Sequence, residues 1–222
     1  MDTFSNNGSA HEHLVRDLAT DLVPVRRLKS PTARAFGWLG VVAVVAVALA
    51  MIADLPALER RFTAAPDMWL AMTGSAVTAI LATLAAFQLS LPDANRAWAV
   101  LPLPAVLLWV VASGLGCLRA WLVPGTHVAD LSETRDCLIF IIGISIPLSA
   151  LMIVMLRRAY SLQPALMAAL AGLATAAAAA TLLNFFHPFD AAATDLVVHA
   201  CALALVIVAN WVFSGRLLGI TP

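Results

Sequence analysis

CLIFIIGISIPLSALMIVML, residues Cys137–Leu156, holds no charged side chain and only two serines among its polar groups. At 1.5 Å rise per residue, a helix of about 20 residues crosses the ~30 Å hydrocarbon core of a bilayer. A barrel strand would alternate apolar and polar positions over about ten residues, which this run does not do. The stretch therefore predicts a membrane-spanning helix. Five others share its character: Phe36–Ala53, Met68–Leu91, Trp98–Val123, Pro164–Phe186 and Thr194–Leu218. The expected fold is an all-α membrane protein. Residues 36–218 form a six-transmembrane-helix bundle, preceded by a short cytoplasmic segment, residues 1–35, that carries an amphipathic N-terminal helix.

Composition agrees. The chain has 222 residues, 62% of them hydrophobic and 12% charged, with mean hydropathy +0.91, far from the averages of soluble domains. Little is left outside the spans for a soluble catalytic domain. The three cysteines are too few and too scattered for a disulfide framework or a zinc knuckle. The polar first thirty residues contain no apolar core, so no cleavable signal peptide is expected.

Six spans leave both termini on one side, and basic residues choose that side. With the N-terminus inside, the cytoplasmic positions hold Arg16, Arg26, Arg27, Lys29, Arg34, Arg96, Arg157, Arg158 and Arg216. The outer positions hold Arg60, Arg61, Arg119 and Arg135. Nine against four favours both termini in the cytoplasm. Within the bundle, Ala168, Gly172, Ala176 and Ala180 recur every four residues in the fifth span, a spacing of small side chains that lets backbones approach closely. That helix is expected at the centre. Pro102 and Pro104 in the third span and Pro147 in the fourth are expected to bend their helices.

Ahead of the spans lies LVRDLATDLVPVRRLKSPTARAFGW, Leu14–Trp38. Leu14, Leu18 and Leu22, with Val15 beside them, form one apolar stripe on a helix. Pro24 stops that helix, since it lacks an N–H and biases Val23 away from the helical region. Arg26, Arg27, Lys29 and Arg34 follow as a juxtamembrane basic cluster. An uncovered apolar stripe needs a partner: a protein, the bilayer surface or the rest of the chain. Residues Met1–Ala10 read as a polar tail. His11 and His13 flank Glu12, but on a helix they point about 200° apart, so the triplet reads as a solvated helix start rather than a metal site.

Transport and proton pumping use ionisable groups in mid-membrane. The spans offer Gln88, Asn184 and Asn210, while Arg119, Asp195, His199 and Arg216 lie near span ends. No phosphate-binding loop, zinc-protease, nucleophile-elbow or paired-carboxylate motif is present. An enzyme is not expected, nor a resident cofactor. On the outer side, Cys137 opens the fourth span, His187 closes the fifth, His199 lies about one turn into the sixth, and Cys117 lies about two turns inside the third. These groups could sense oxidants or metal ions in a compartment that permits disulfides.

The run DLATDLVPVRRLKSPTARAFGWL, the six spans and the cysteine at the start of the fourth resemble the NrsF family of membrane anti-sigma factors (negative regulators of sigma F). The most specific part is PVRRL, Pro24–Leu28, followed by Pro31, Arg34 and Trp38. The resemblance implies that the N-terminal segment holds an extracytoplasmic-function sigma factor at the membrane. It also implies release of that factor on oxidative or heavy-metal stress sensed at the outer face. Leu14, Leu18, Leu22, Pro24, Val25, Arg26, Arg27 and Leu28 would then contact the sigma factor, with Arg26, Arg27 and Lys29 also reaching anionic lipid. No direct contact with nucleic acid is implied.

The family pattern pairs the fourth-span cysteine with a second one at the outer end of the fifth, where this chain has His187. A disulfide between those two positions cannot form here. Cys137 acts alone through sulfenic acid, pairs with Cys117, or binds a transient soft metal ion with His187. The rival expectation is a small transporter or membrane-embedded binding protein whose basic N-terminal helix lies on the inner leaflet.

Overall fold

The computed structural model describes residues 3–20, 28–64, 66–122, 131–159, 161–186, 200–201, 204–210 and 212. Among them the fold is entirely helical: α1 (Thr3–Thr20), α2 (Pro31–Ala50), α3 (Leu55–Ala64), α4 (Pro66–Gln88), a 3-10 turn (Arg96–Val100), α5 (Leu103–Leu122), α6 (Leu131–Leu156) and α7 (Pro164–Leu183). Five segments are long and apolar enough to cross a bilayer: Pro31–Ala50, Met68–Gln88, Arg96–Leu115, Arg135–Leu156 and Pro164–Leu183. That is one fewer than the six expected. The missing one, 194–218, lies mostly outside the described residues, within which 204–210 is a short helical run. Phe36, Val44, Val47, Leu107, Val110 and Ile146 stand exposed on the outer faces, an arrangement suited to hydrocarbon and costly in water.

Local chemistry explains where the helices depart from the apolar runs. Helix α2 starts at Pro31, five residues before the apolar run. Ser30 accepts a hydrogen bond from the Ala33 N–H at 3.3 Å, and Pro31 sits at the first helical position, where its missing N–H costs nothing. Helix α6 likewise begins at Leu131, so its first turns are the polar SETRD rather than Cys137. The third span is not one helix. Pro102 and Pro104 cannot donate to a preceding turn, so the chain makes a 3-10 turn capped by Asn95 (Ala97 N–H to Oδ1, 2.9 Å) and restarts as α5 at Leu103. Pro147, by contrast, lies inside a continuous α6. Helix α3 occupies a connector that carried no expected element; Asp54 starts it by accepting from the Ala57 N–H at 3.0 Å. Helix α1 reaches back to Thr3 instead of leaving a polar tail. No proline precedes Pro24, so nothing blocks propagation backward from the Leu14–Leu18 turns.

Helix α7 forms the centre, as its small-residue spacing predicts. Met167, Ala171, Ala174, Ala177, Ala178 and Leu182 are buried along it and pack with Ala82, Ala85, Ala86 and Phe87 of α4. Two glycines set the closest approaches. A Cβ on Gly74 would stand 2.8 Å from the Trp109 backbone of α5, and one on Gly172 would stand 2.8 Å from the Ile207 Cα. Hydroxyls supply cross-links inside the bundle: Ser75 with Thr181 at 2.9 Å, Ser149 with Thr175 at 3.2 Å, and Asn210 to Ser149 at 3.2 Å.

Gly172→Val should therefore force the 204–210 run off α7. Overpacking of this kind costs about 1–3 kcal/mol, read as a lower thermal midpoint of the detergent-solubilised protein. Gly114→Ala meets nothing within 4 Å and is expected to leave the midpoint unchanged or raise it.

Candidate functional site

The amphipathic stripe is uncovered. Every described side chain of α1, residues 11–20, is exposed, with Leu14 at 56%, Val15 at 53% and Leu18 at 62%. The Thr20 hydroxyl donates to the carbonyls of Asp17 at 2.7 Å and Arg16 at 3.3 Å, back-bonding that is common for threonine on a helix. His11 and His13 lie on this exposed helix. Leu22, Pro24, Val25, Arg26 and Arg27 fall outside the described residues, and Leu28 is exposed beyond them.

Arg34 does not belong to an exposed basic cluster. Only 8% of it is accessible, and its guanidinium lies between three helices. Nη1 donates to Ser90 Oγ at 3.4 Å, Nη2 donates to the Met155 carbonyl, and Cζ stands 5.0 Å from the Phe87 ring centroid. Met155 lies in the last turn of α6, where the final four carbonyls lack helical partners and carry the negative end of the helix dipole. Arg157 N–H serves Ile153, Ala159 N–H serves Leu156, and Arg34 serves Met155. A cation at a helix C-terminus compensates its own burial in this way. One turn further along α2, Trp38 is fully buried and its Nε1–H donates to the Leu148 carbonyl at 3.2 Å. Two α2 side chains thus hold two levels of α6, beside Pro147 and at its end.

The same end gathers further contacts. Ser161, after α6, donates to the Leu89 carbonyl at 2.7 Å, and Ser90 donates to the Phe87 carbonyl at 2.6 Å. The start of α2, the end of α4, the end of α6 and the start of α7 therefore share one face. The sequence singled out Arg34 and Trp38 as motif positions but missed their contacts. An ionisable residue in the first turn of an apolar helix was the available signal.

The opposite end holds Cys137, buried with Ile141 of α6 and with Ala179 and Leu183 of α7, flanked by Leu138, Phe140 and Ile144. Phe140 packs on Phe186, ring centroids 5.8 Å apart, which brings the end of α7 against the turn that carries Cys137. His187 and His199 lie outside the described residues, as does the Cys117 side chain; Cys201 is exposed. Among the described residues no three His, Cys, Asp or Glu side chains converge as a metal site would require.

These features define an all-helical bundle, among the described residues, with five segments long and apolar enough to cross a membrane and an unpacked amphipathic helix ahead of the first. The family model for negative regulator of sigma F (NrsF) matches residues 18–219, and the protein belongs to that family. It is accordingly a negative regulator of a sigma factor, with a sigma factor as its partner. No curated protein and no solved structure matches the chain.

Proposed function

We propose that this protein is a bacterial inner-membrane anti-sigma factor with both termini in the cytoplasm. It holds an extracytoplasmic-function sigma factor through residues 1–35 and releases it on oxidative or heavy-metal stress at the outer face. The observation that carries the proposal is the exposed apolar stripe Leu14–Val15–Leu18 on α1, joined to a chain of a sigma-regulator family. An amphipathic helix of this kind binds by laying its apolar face into a hydrophobic groove, with anchors three and four residues apart. Arg26, Arg27 and Lys29 add electrostatic contacts to the partner or to anionic lipid. Holding the sigma factor is sequestration: a sigma factor kept at the bilayer cannot reach RNA polymerase, and the holding itself needs no covalent chemistry.

Cys137 is the proposed point of stimulus, at the far end of α6 from the face where α2 begins. Its side chain is buried against Ile141, Ala179 and Leu183, so adding oxygen or a soft metal ion there enlarges a site that is already packed.

The test is co-purification. Full-length protein extracted from bacterial membranes should carry one co-expressed extracytoplasmic-function sigma factor at near-equal stoichiometry, and removal of residues 1–27 should abolish this while the bundle remains in the membrane. Failure of the full-length protein to retain any such sigma factor would overturn the proposal.

A further inference from the structure

If the binding segment is cytoplasmic and the stimulus acts at the other face, some element must connect them. Helix α6 reaches both ends of the bundle. Cys137 lies near its start and Pro147 in its middle. Its Leu148 and Met155 carbonyls accept hydrogen bonds from Trp38 and Arg34. Those two donors stand in the first two turns of α2, directly after the segment that ends at Ser30.

We infer that Arg34 and Trp38 are positioning residues that couple α6 to the first turns of α2, so that a displacement of α6 moves the root of the N-terminal segment. The inference rests on the proposed function for its biological meaning, but the coupling is a property of the bundle alone.

Three features support it. First, the two bonds are polar contacts between α2 and α6 made by buried side chains, where a lost partner leaves the donor unsatisfied. They bind the helices more tightly than the surrounding apolar contacts, which tolerate sliding. Second, the accepting groups are α6 main-chain carbonyls rather than side chains. A rotation or bend of α6 therefore shifts them directly, with no rotamer change to absorb it. Third, the pair occupies two levels: Trp38 grips beside Pro147, and Arg34 grips the terminal turn. A helix with proline in its interior lacks one backbone hydrogen bond, so the segments on either side of Pro147 can tilt relative to each other. Trp38 then registers the position of the bend and Arg34 the position of the end. Ser90, which also accepts from Arg34, ties the guanidinium to the end of α4, the neighbour of the central α7.

The test is a double-mutant cycle read by hydrogen exchange of the full-length protein in nanodiscs, with no sigma factor present. Cys137→Trp overfills the buried site and serves as a built-in displacement of α6. In the otherwise wild-type chain it should speed exchange of amides 32–38 at least fivefold. In an Arg34→Met/Trp38→Phe background, which keeps apolar volume but removes both donors, the same substitution should change those amides less than twofold. Each single latch variant, Arg34→Met or Trp38→Phe, should give an intermediate response. Exchange in the central part of α7 serves as the folding control; should Cys137→Trp disturb it, Cys137→Leu, a smaller overfill, takes its place. Equal fold-changes in the two backgrounds, or no change at amides 32–38 in the wild-type background, would overturn the inference. A positive cycle in a protein that binds no sigma factor would leave the coupling standing and sink the proposed function instead.

Discussion

Leu18→Asp in the full-length protein is expected to weaken sigma-factor binding at least ~100-fold. Leu18 is 62% exposed at the middle of the α1 stripe, between Leu14 and the expected contact at Leu22. Full burial of a leucine side chain is worth about 1.5–3 kcal/mol, and placing a carboxylate in the same apolar groove adds a desolvation penalty. A factor of 100 corresponds to about 2.8 kcal/mol, within the range of a central hot spot. The loss of helix propensity from leucine to aspartate is a few tenths of a kcal/mol, too small to produce it. Asp17→Ala, one position away on the polar side, should change affinity less than ~3-fold. Anisotropy titration of a labelled extracytoplasmic-function sigma factor with protein in nanodiscs measures both. Equal affinities for the wild type and Leu18→Asp would mean that α1 does not bind through its apolar stripe.

Five of the six apolar runs announced helices and their approximate centres, because a twenty-residue run without charge has no other membrane structure open to it. The small-residue spacing in Ala168–Ala180 likewise foretold the central helix, since close approach leaves no room for larger side chains. What hydropathy could not see were starts and interruptions. Ser30–Pro31 and the polar SETRD extend two helices past their apolar cores, because caps and first turns follow hydrogen-bonding rules that ignore hydrophobicity. Pro102 and Pro104 predict bends in one helix; two prolines so close to the start of a run instead end one helix and begin another. Sequence adjacency groups Arg34 with Arg26, Arg27 and Lys29, as if the four shared one environment. Its neighbours in space, Ser90 and Met155, are 56 and 121 residues away, and no local pattern encodes them. The stripe on α1 was legible for the opposite reason: its meaning depends only on residues three and four apart.

Cys137→Ala is expected to hold the sigma factor as tightly as wild type at rest and to lose most of its stimulus-dependent release. The thiol packs against Ile141, Ala179 and Leu183. Alanine removes only the sulfur from that site, so the closed arrangement of α6 on α7 survives with a small cavity. With peroxide, the thiolate sulfur attacks one oxygen, the O–O bond breaks, and hydroxide leaves to take up a proton as water; the sulfur becomes sulfenic acid. With a soft divalent cation, the thiol gives up its proton and the thiolate binds the metal. Either product is larger and more polar than the thiol and must fit against Ile141, Ala179 and Leu183, where overfilling costs on the order of 2–3 kcal/mol. That is enough to shift a two-state equilibrium between closed and displaced α6 by roughly 30- to 150-fold. Without the sulfur neither product forms, so the fraction of sigma factor released by hydrogen peroxide or cadmium should fall at least ~10-fold, while Cys201→Ala, at an exposed position, should release as wild type does. The two stimuli separate the chemistries. If cadmium still releases the sigma factor from Cys137→Ala and peroxide does not, the metal acts elsewhere and Cys137 senses oxidation. If both still release it, Cys137 is a packing residue, and the stimulus enters the bundle by another route.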